Sequence, residues 1–165
     1  MKNTFLILFL LYFLMGCNDQ KLTHQETVTK YYNARDEANY NELKTLINDS
    51  ITITAGDYIM PYAQDSFYEE FKWDSVFRTS YKIVELEEKN NQVIISVTLK
   101  SARLKFLKNN PMTCQYKISF NSGKISKIEE LECKDADWTI WKKEVDSLVS
   151  WIKKIIRNLM VSLMI

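Results

Sequence analysis

The apolar pattern of this chain predicts an α+β fold. N-terminal helices pack on a strongly curved antiparallel sheet, and an extra helix follows at the carboxyl end. Three observations carry this reading. Apolar residues recur at helical spacing between His24 and Ile47 and again near Phe67–Phe71. From Tyr81 to Cys133 they alternate with period two, as in half-buried strands. From Trp138 onward they step by three and four, which is one stripe on a helix.

The chain opens on a different pattern. Lys2 precedes the apolar run Phe5–Met15, and Gly16-Cys17 follows. A basic tip, a short apolar run and a small residue before the cut make the layout of a secretory signal peptide. The run is too short to span a bilayer, which takes about 20 residues. Leu14-Met15-Gly16-Cys17 resembles the lipobox of bacterial lipoproteins. In that family the peptide ahead of the Cys is removed and the Cys is acylated. The resemblance implies a signal peptide over residues 1–17, lipidation at Cys17, a membrane partner reached through the lipid, and a place in the cell envelope. Asn18 rather than Asp after the Cys implies outer-membrane sorting in a Gram-negative host. Residues 18–23 read as a tether.

Thr23-His-Gln-Glu26 matches a capping box. Val28, Tyr31, Tyr32 and Arg35 continue it as a helix over 24–38. Asn39-Tyr-Asn-Glu42 repeats the cap, and Leu43, Leu46 and Ile47 make a shorter helix. Ser50–Ala55 alternates as a strand that Gly56 stops. Pro61 is read as a first-turn helix residue, leading into the aromatic face of Phe67, Tyr68 and Phe71. Tyr81–Leu86 is a strand and Asn90-Asn91 a turn. Val93, Ile95, Val97 and Leu99 share the next strand's face. The parity then flips to Ala102, Leu104 and Phe106, which predicts a bulge near Lys100-Ser101. Met112 to Phe120 and Lys124 to Cys133 form a hairpin about Asn121-Ser-Gly123. The domain spans 24–134, and residues 135–165 are a helix packed on it by Trp138, Trp141 and Leu148. The apolar end Leu159–Ile165 either packs back on the domain or marks an altered reading frame.

The chain has 165 residues, 22 basic and 21 acidic, with three Gly and two Pro. Such a charge balance argues against nucleic acid, which selects strongly basic domains. Between Gln92 and Ile128 there is no Asp or Glu, while Lys100, Arg103, Lys105, Lys108, Lys117, Lys124 and Lys127 fall there. This reads as a solvated sheet face balanced by acidic neighbours, or as a surface facing an anionic ligand or lipid headgroups. With so few glycines no phosphate-cradling loop can be built, and no Gly-x-Ser-x-Gly occurs. The lone His24 and two mature-domain cysteines are too few for a metal site, and no cofactor is implied.

A tight turn at Ser122-Gly123 sets Cys114 opposite Leu131, with Cys133 two residues further on the same face. Diagonal neighbours lie about 7 Å apart, at the limit of a disulfide. The irregular spacing of Ile125, Ile128 and Leu131 suggests a bulge that closes the gap. Cys114 and Cys133 are therefore either bridged, as an oxidising compartment permits, or small buried hydrophobes.

From Gln25 to Cys133 the chain resembles the nuclear transport factor 2-like superfamily. The resemblance rests on Val28-Thr-Lys-Tyr-Tyr-Asn-Ala34, Asn39-Tyr40, Leu43, Gly56-Asp57, Phe71-Lys-Trp73 and Phe120-Asn-Ser-Gly-Lys-Ile125. It implies a cone in which a curved sheet wraps the first helix around an apolar pocket. Enzymes of that superfamily, such as ketosteroid isomerase, set acids, bases and donors in the pocket. By that resemblance Tyr32 is a candidate donor and Asp57 a candidate base, and Arg103 completes a candidate pocket set. A late-strand acid has no counterpart between Gln92 and Ile128, and a single His excludes a His pair. The reading is a noncatalytic lipoprotein that binds a small ligand or protein partner through its pocket or sheet face, with a homodimer through the sheet as one arrangement. The competing readings are a pocket isomerase or hydrolase and a structural envelope component. A deep cavity uniting Tyr32, Asp57 and Arg103 favours the enzyme, and an interior filled by aromatics favours the others.

Overall fold

The computed structural model describes residues 22–162; the expected signal peptide over 1–17 and its Cys17 lie outside the described residues. Helix α1 (His24–Asp36) starts at the capping box: Glu26 N donates to Thr23 Oγ1 at 3.2 Å, and Thr23 N donates to the Glu26 carboxylate at 2.8 Å. It ends before the predicted residue 38, because Ala38 turns into the left-handed region at φ 54°. Asn39 caps α2 (Tyr40–Leu46), accepting from Glu42 N at 3.2 Å. Ile47 does not close that helix; it is the first, fully buried residue of β1 (Ile47–Ala55).

Two elements differ from expectation. Pro61 does not begin a helix. It lies within β2 (Tyr58–Ala63), opposite Thr52 of β1. β2 is the last strand on its side of the sheet, so the missing N–H of proline costs no ladder bond there. Helix α3 (Gln64–Phe77) follows directly. The hairpin of β3 (Ser80–Lys89) and β4 (Gln92–Lys100) turns through Asn90 and Asn91, both left-handed. The bulge expected at Lys100-Ser101 is absent: β4 keeps one register with its neighbour from Gln92 to Leu99. The parity flip instead begins a short helix, α4 (Ala102–Phe106). Ser101 caps it by accepting from Leu104 N at 3.0 Å. Leu104 and Leu107, three apart, are buried, while Phe106 is exposed.

β5 (Met112–Asn121) and β6 (Lys124–Cys133) form the last hairpin, about Ser122 and Gly123 with both φ positive. The sheet order is β2-β1-β6-β5-β4-β3, antiparallel except where β1 lies parallel to β6. Val93, Ile95, Val97, Ile118, Ile125 and Ile128 line its inner face. They close on Val28, Tyr31 and Tyr32 of α1, Leu43 and Leu46 of α2, and Phe67 and Phe71 of α3. Burying one such side chain contributes roughly 1.5–3 kcal/mol.

Among the described residues, helix α5 (Trp138–Ser162) meets the domain through its first turns. Trp141 packs on a second cluster of Leu104, Met112 and Cys114, and Lys108 Nζ meets Glu144 at 2.6 Å. Trp138, expected as an anchor, is half exposed, and Val149, Trp151, Ile152, Ile155 and Ile156 face solvent. The helix is continuous, but its apolar stripe outruns the domain surface available to cover it.

Candidate functional site

The space beneath the curved sheet is occupied by tyrosines and one ion pair. Tyr31, Tyr32 and Arg35 reach it from one stripe of α1, because residues three and four apart share a helix face. The Arg35 guanidinium donates through Nε to Asp74 Oδ2 at 2.6 Å and through Nη1 to the Tyr31 hydroxyl at 3.1 Å. Its Nη2 meets the Glu70 carboxylate at 3.4 Å. The Tyr81 hydroxyl donates to Asp74 Oδ1 at 2.6 Å. The guanidinium carbon stands 5.2 Å from the Tyr81 ring centre and 5.8 Å from that of Tyr31. Tyr32 sets its ring edge-on to Tyr31 at 5.2 Å and tilted to Tyr81 at 5.6 Å.

Electrostatics follow from this burial. Loss of water raises the Tyr31 phenol to about 12 and holds Tyr32, Tyr81 and Tyr116 above the ordinary tyrosine value. Burial also works against the Arg35 charge. The tyrosines with Glu70 and Asp74 outweigh it and hold the guanidinium well above its ordinary value. The cluster is a satisfied polar core. The donors and acceptors of Arg35, Asp74, Tyr31 and Tyr81 are spent on each other, while Tyr32 joins them through its ring.

The three predicted pocket residues do not meet. Tyr32 is 5% exposed within the aromatic cluster. Asp57 is exposed at the tip of the β1–β2 hairpin, where Ala55 pairs with Tyr58. Arg103 is exposed on α4, its guanidinium 5.6 Å from the Trp141 ring centre. Neither of two surface depressions is lined by any of the three. One, of about 590 Å³, lies between the α1–α2 turn and α3 and includes Asn39, Tyr40, Asp65, Tyr68 and Lys72. The other runs along the polar side of α5.

Cys114 and Cys133 are joined by a disulfide. The hairpin register shifts twice, between Ser119 and Phe120 and between Gln115 and Tyr116, so Cys133 faces Cys114 and Leu131 does not. The first of these shifts sets Glu130 opposite Tyr116 on the inner face. Its carboxylate lies within 4.8 Å of both sulfurs, and burial raises its pKa above the usual carboxylate value. With the sulfurs bonded to each other, this cluster has no thiolate to offer a metal. Sequence reasoning missed Glu130 because regular alternation along β6 puts it on the outer face; the three-residue spacing of Ile125 and Ile128 was the signal.

On the outer sheet face two residues of the basic stretch share one carboxylate. Lys117 and Lys127 both close on Glu129, at 2.9 and 2.8 Å. There Thr98 also meets Thr113 at 3.1 Å, and Gln92 donates to Ser119 at 2.7 Å.

No protein-family model matches the chain, and no curated protein does. Solved structures do. An NTF2-like protein of unknown function from Cytophaga hutchinsonii superposes with a TM-score of 0.56 at 12% identity, covering 68% of this chain and 92% of that one. An uncharacterized cystatin fold protein from Novosphingobium aromaticivorans gives 0.57 at 10% identity, covering 67% and 99%. A de novo designed protein with a curved β-sheet gives 0.54 at 10% identity, covering 74% and 94%. Identities this low speak to the fold alone. Helices packed on a curved, mostly antiparallel sheet, together with these neighbours, show that the chain has the cystatin-like fold that NTF2-like proteins share.

Proposed function

We propose that this chain is a noncatalytic envelope lipoprotein, anchored through acylated Cys17, that holds a protein partner or small ligand on the outer face of its sheet. One observation carries the reading. Arg35, Asp74, Tyr31 and Tyr81, hydrogen-bonded to one another, fill the space beneath the sheet together with the ring of Tyr32 packed against them. A pocket enzyme needs a hollow there, with a poised acid or base facing it. Asp57 and Arg103 are exposed, outside the cluster that holds Tyr32. The outer face offers an ordered polar surface of Thr98, Thr113, Gln115, Lys117 and Glu129.

Two measurements test it in intact cells. A fatty-acid analogue is expected to label the wild-type chain and not Cys17→Ser; label on the Ser variant removes the anchor from the account. A photo-crosslinking residue at Thr98 or Gln115 is expected to give a discrete adduct, whose mass tells a second copy from a different partner. Turnover of a small apolar substrate that is lost in Tyr32→Phe overturns the noncatalytic reading.

A further inference from the structure

We infer that α5 is a membrane-surface helix: its apolar half lies in the headgroup boundary of an anionic bilayer, with the flanking Lys153 and Lys154 on lipid phosphates. The helix has 25 residues, about 37 Å at 1.5 Å per residue. At about 100° per residue, Val145, Leu148, Val149, Trp151, Ile152, Ile155 and Ile156 fall on one half of its circumference. Lys153 borders that half on one side and Lys154 on the other, with Arg157 on the opposite face. Flanking lysines can lay their stems along the apolar surface and keep their charges at the headgroups. After Asp146 the described helix carries no acid, so its distal part is purely cationic.

The exposed half is large. Trp151 is 60% exposed and Ile156 52%. Such a surface in a helix with a basic opposite side matches an interfacial helix, with Trp at the boundary. Among the described residues no helix is long and apolar enough to cross a membrane, so α5 lies on the surface and does not span it. A second copy of α5 is the competing occupant, because Trp141, Val145, Leu148, Ile152 and Ile155 step as a coiled-coil seam. Ile140, Val149, Trp151 and Ile156 make the apolar face wider than such a seam, and parallel pairing would set like charges side by side. The inference does not require acylation of Cys17. The start of α1, where His24 stacks on Phe120 at 4.1 Å, lies at the β5–β6 hairpin end of the sheet. α5 leaves from the other end, where Asp137 N donates to Asn109 Oδ1 at 2.6 Å. With both ends attached, the domain lies along the membrane.

The test reconstitutes the full chain into vesicles of brominated phosphatidylcholine, with or without phosphatidylglycerol. Tryptophan emission is read, and Trp151→Phe assigns the component. Trp151 is expected to be blue-shifted and quenched in the phosphatidylglycerol vesicles. Ile152→Glu with Ile156→Glu, both exposed positions that leave the core untouched, should abolish this. Lys153→Gln should lower the ratio of inserted to free helix roughly fivefold. Equal quenching with and without phosphatidylglycerol, or none in either, overturns the proposal. So does a lipid-free dimer whose blue-shifted Trp151 is lost in Ile152→Glu. Fatty-acid labelling reads the anchor separately, so failure of one reading is distinct from failure of the other.

Discussion

Arg35 carries a charge into the interior, and Asp74 is what lets it stay there. Both side chains are close to 10% exposed, the pair is 2.6 Å apart, and the second Asp74 oxygen holds the Tyr81 hydroxyl. Asp74→Ala therefore leaves the Tyr81 phenol without its acceptor and the guanidinium with only the more distant Glu70 carboxylate, at 3.4 Å. Breaking a buried pair from one side costs about 3–5 kcal/mol, while replacing both partners with apolar residues costs less. A denaturant melt should show Asp74→Ala as the worse of two variants, the other being Arg35→Met with Asp74→Leu. If the double variant is destabilised at least as much, the pair contributes more than it costs, and the description of it as a compensated burial is wrong. The sequence placed Arg35 on the stripe of the first helix with Tyr31 and Tyr32. It could not name Asp74, thirty-nine positions away, because nothing local distinguishes a carboxylate that turns inward on α3 from its exposed neighbours.

Helix starts and turns were the most legible elements, and each has a local chemical cause. The Thr23–Glu26 box, the Asn39 cap and the Ser122-Gly123 turn all use side chains or backbone freedom within four residues. β2 and α4 were missed because their identities depend on the whole sheet. Pro61 is acceptable in a strand only at an edge, and edge position is a tertiary fact. The flip at Ala102 fits a bulge or a helix equally until Leu104 and Leu107 find one cluster to bury in. α5 was legible as a helix, but its docking was not, since a stripe does not say what covers it. Trp141 is half-buried against Leu104, Met112 and Cys114. Trp141→Ala should cost about 1–3 kcal/mol, below the 3–5 of a fully buried aromatic. Ile152→Ala should leave the domain's melt within about 0.5 kcal/mol of wild type. A large effect at Ile152 would mean that the distal helix does pack on the domain.

At the scale of the whole molecule, fold class followed from the change of period along the chain, and the filled interior did not. Tyr31 and Tyr32 were visible as an inward stripe, yet whether they line a hollow or close it depends on Tyr81 and Tyr116 arriving from β3 and β5. The proposed binding role rests on that closure, and the phenols report it. Burial holds the folded pKa of Tyr31, Tyr32, Tyr81 and Tyr116 above the unfolded value of about 10. Their protonated forms therefore favour the native state, and the stability they contribute is present below about pH 10 and lost as pH rises toward the folded values. The direct measurement is ultraviolet titration of phenolate in the folded chain, wild type against Tyr32→Phe. The account predicts that the phenol missing from the variant is one that ionises late, with alkaline unfolding. A missing phenol that ionises near pH 10 in the still-folded protein would put Tyr32 in contact with water in an open pocket, and would contradict it.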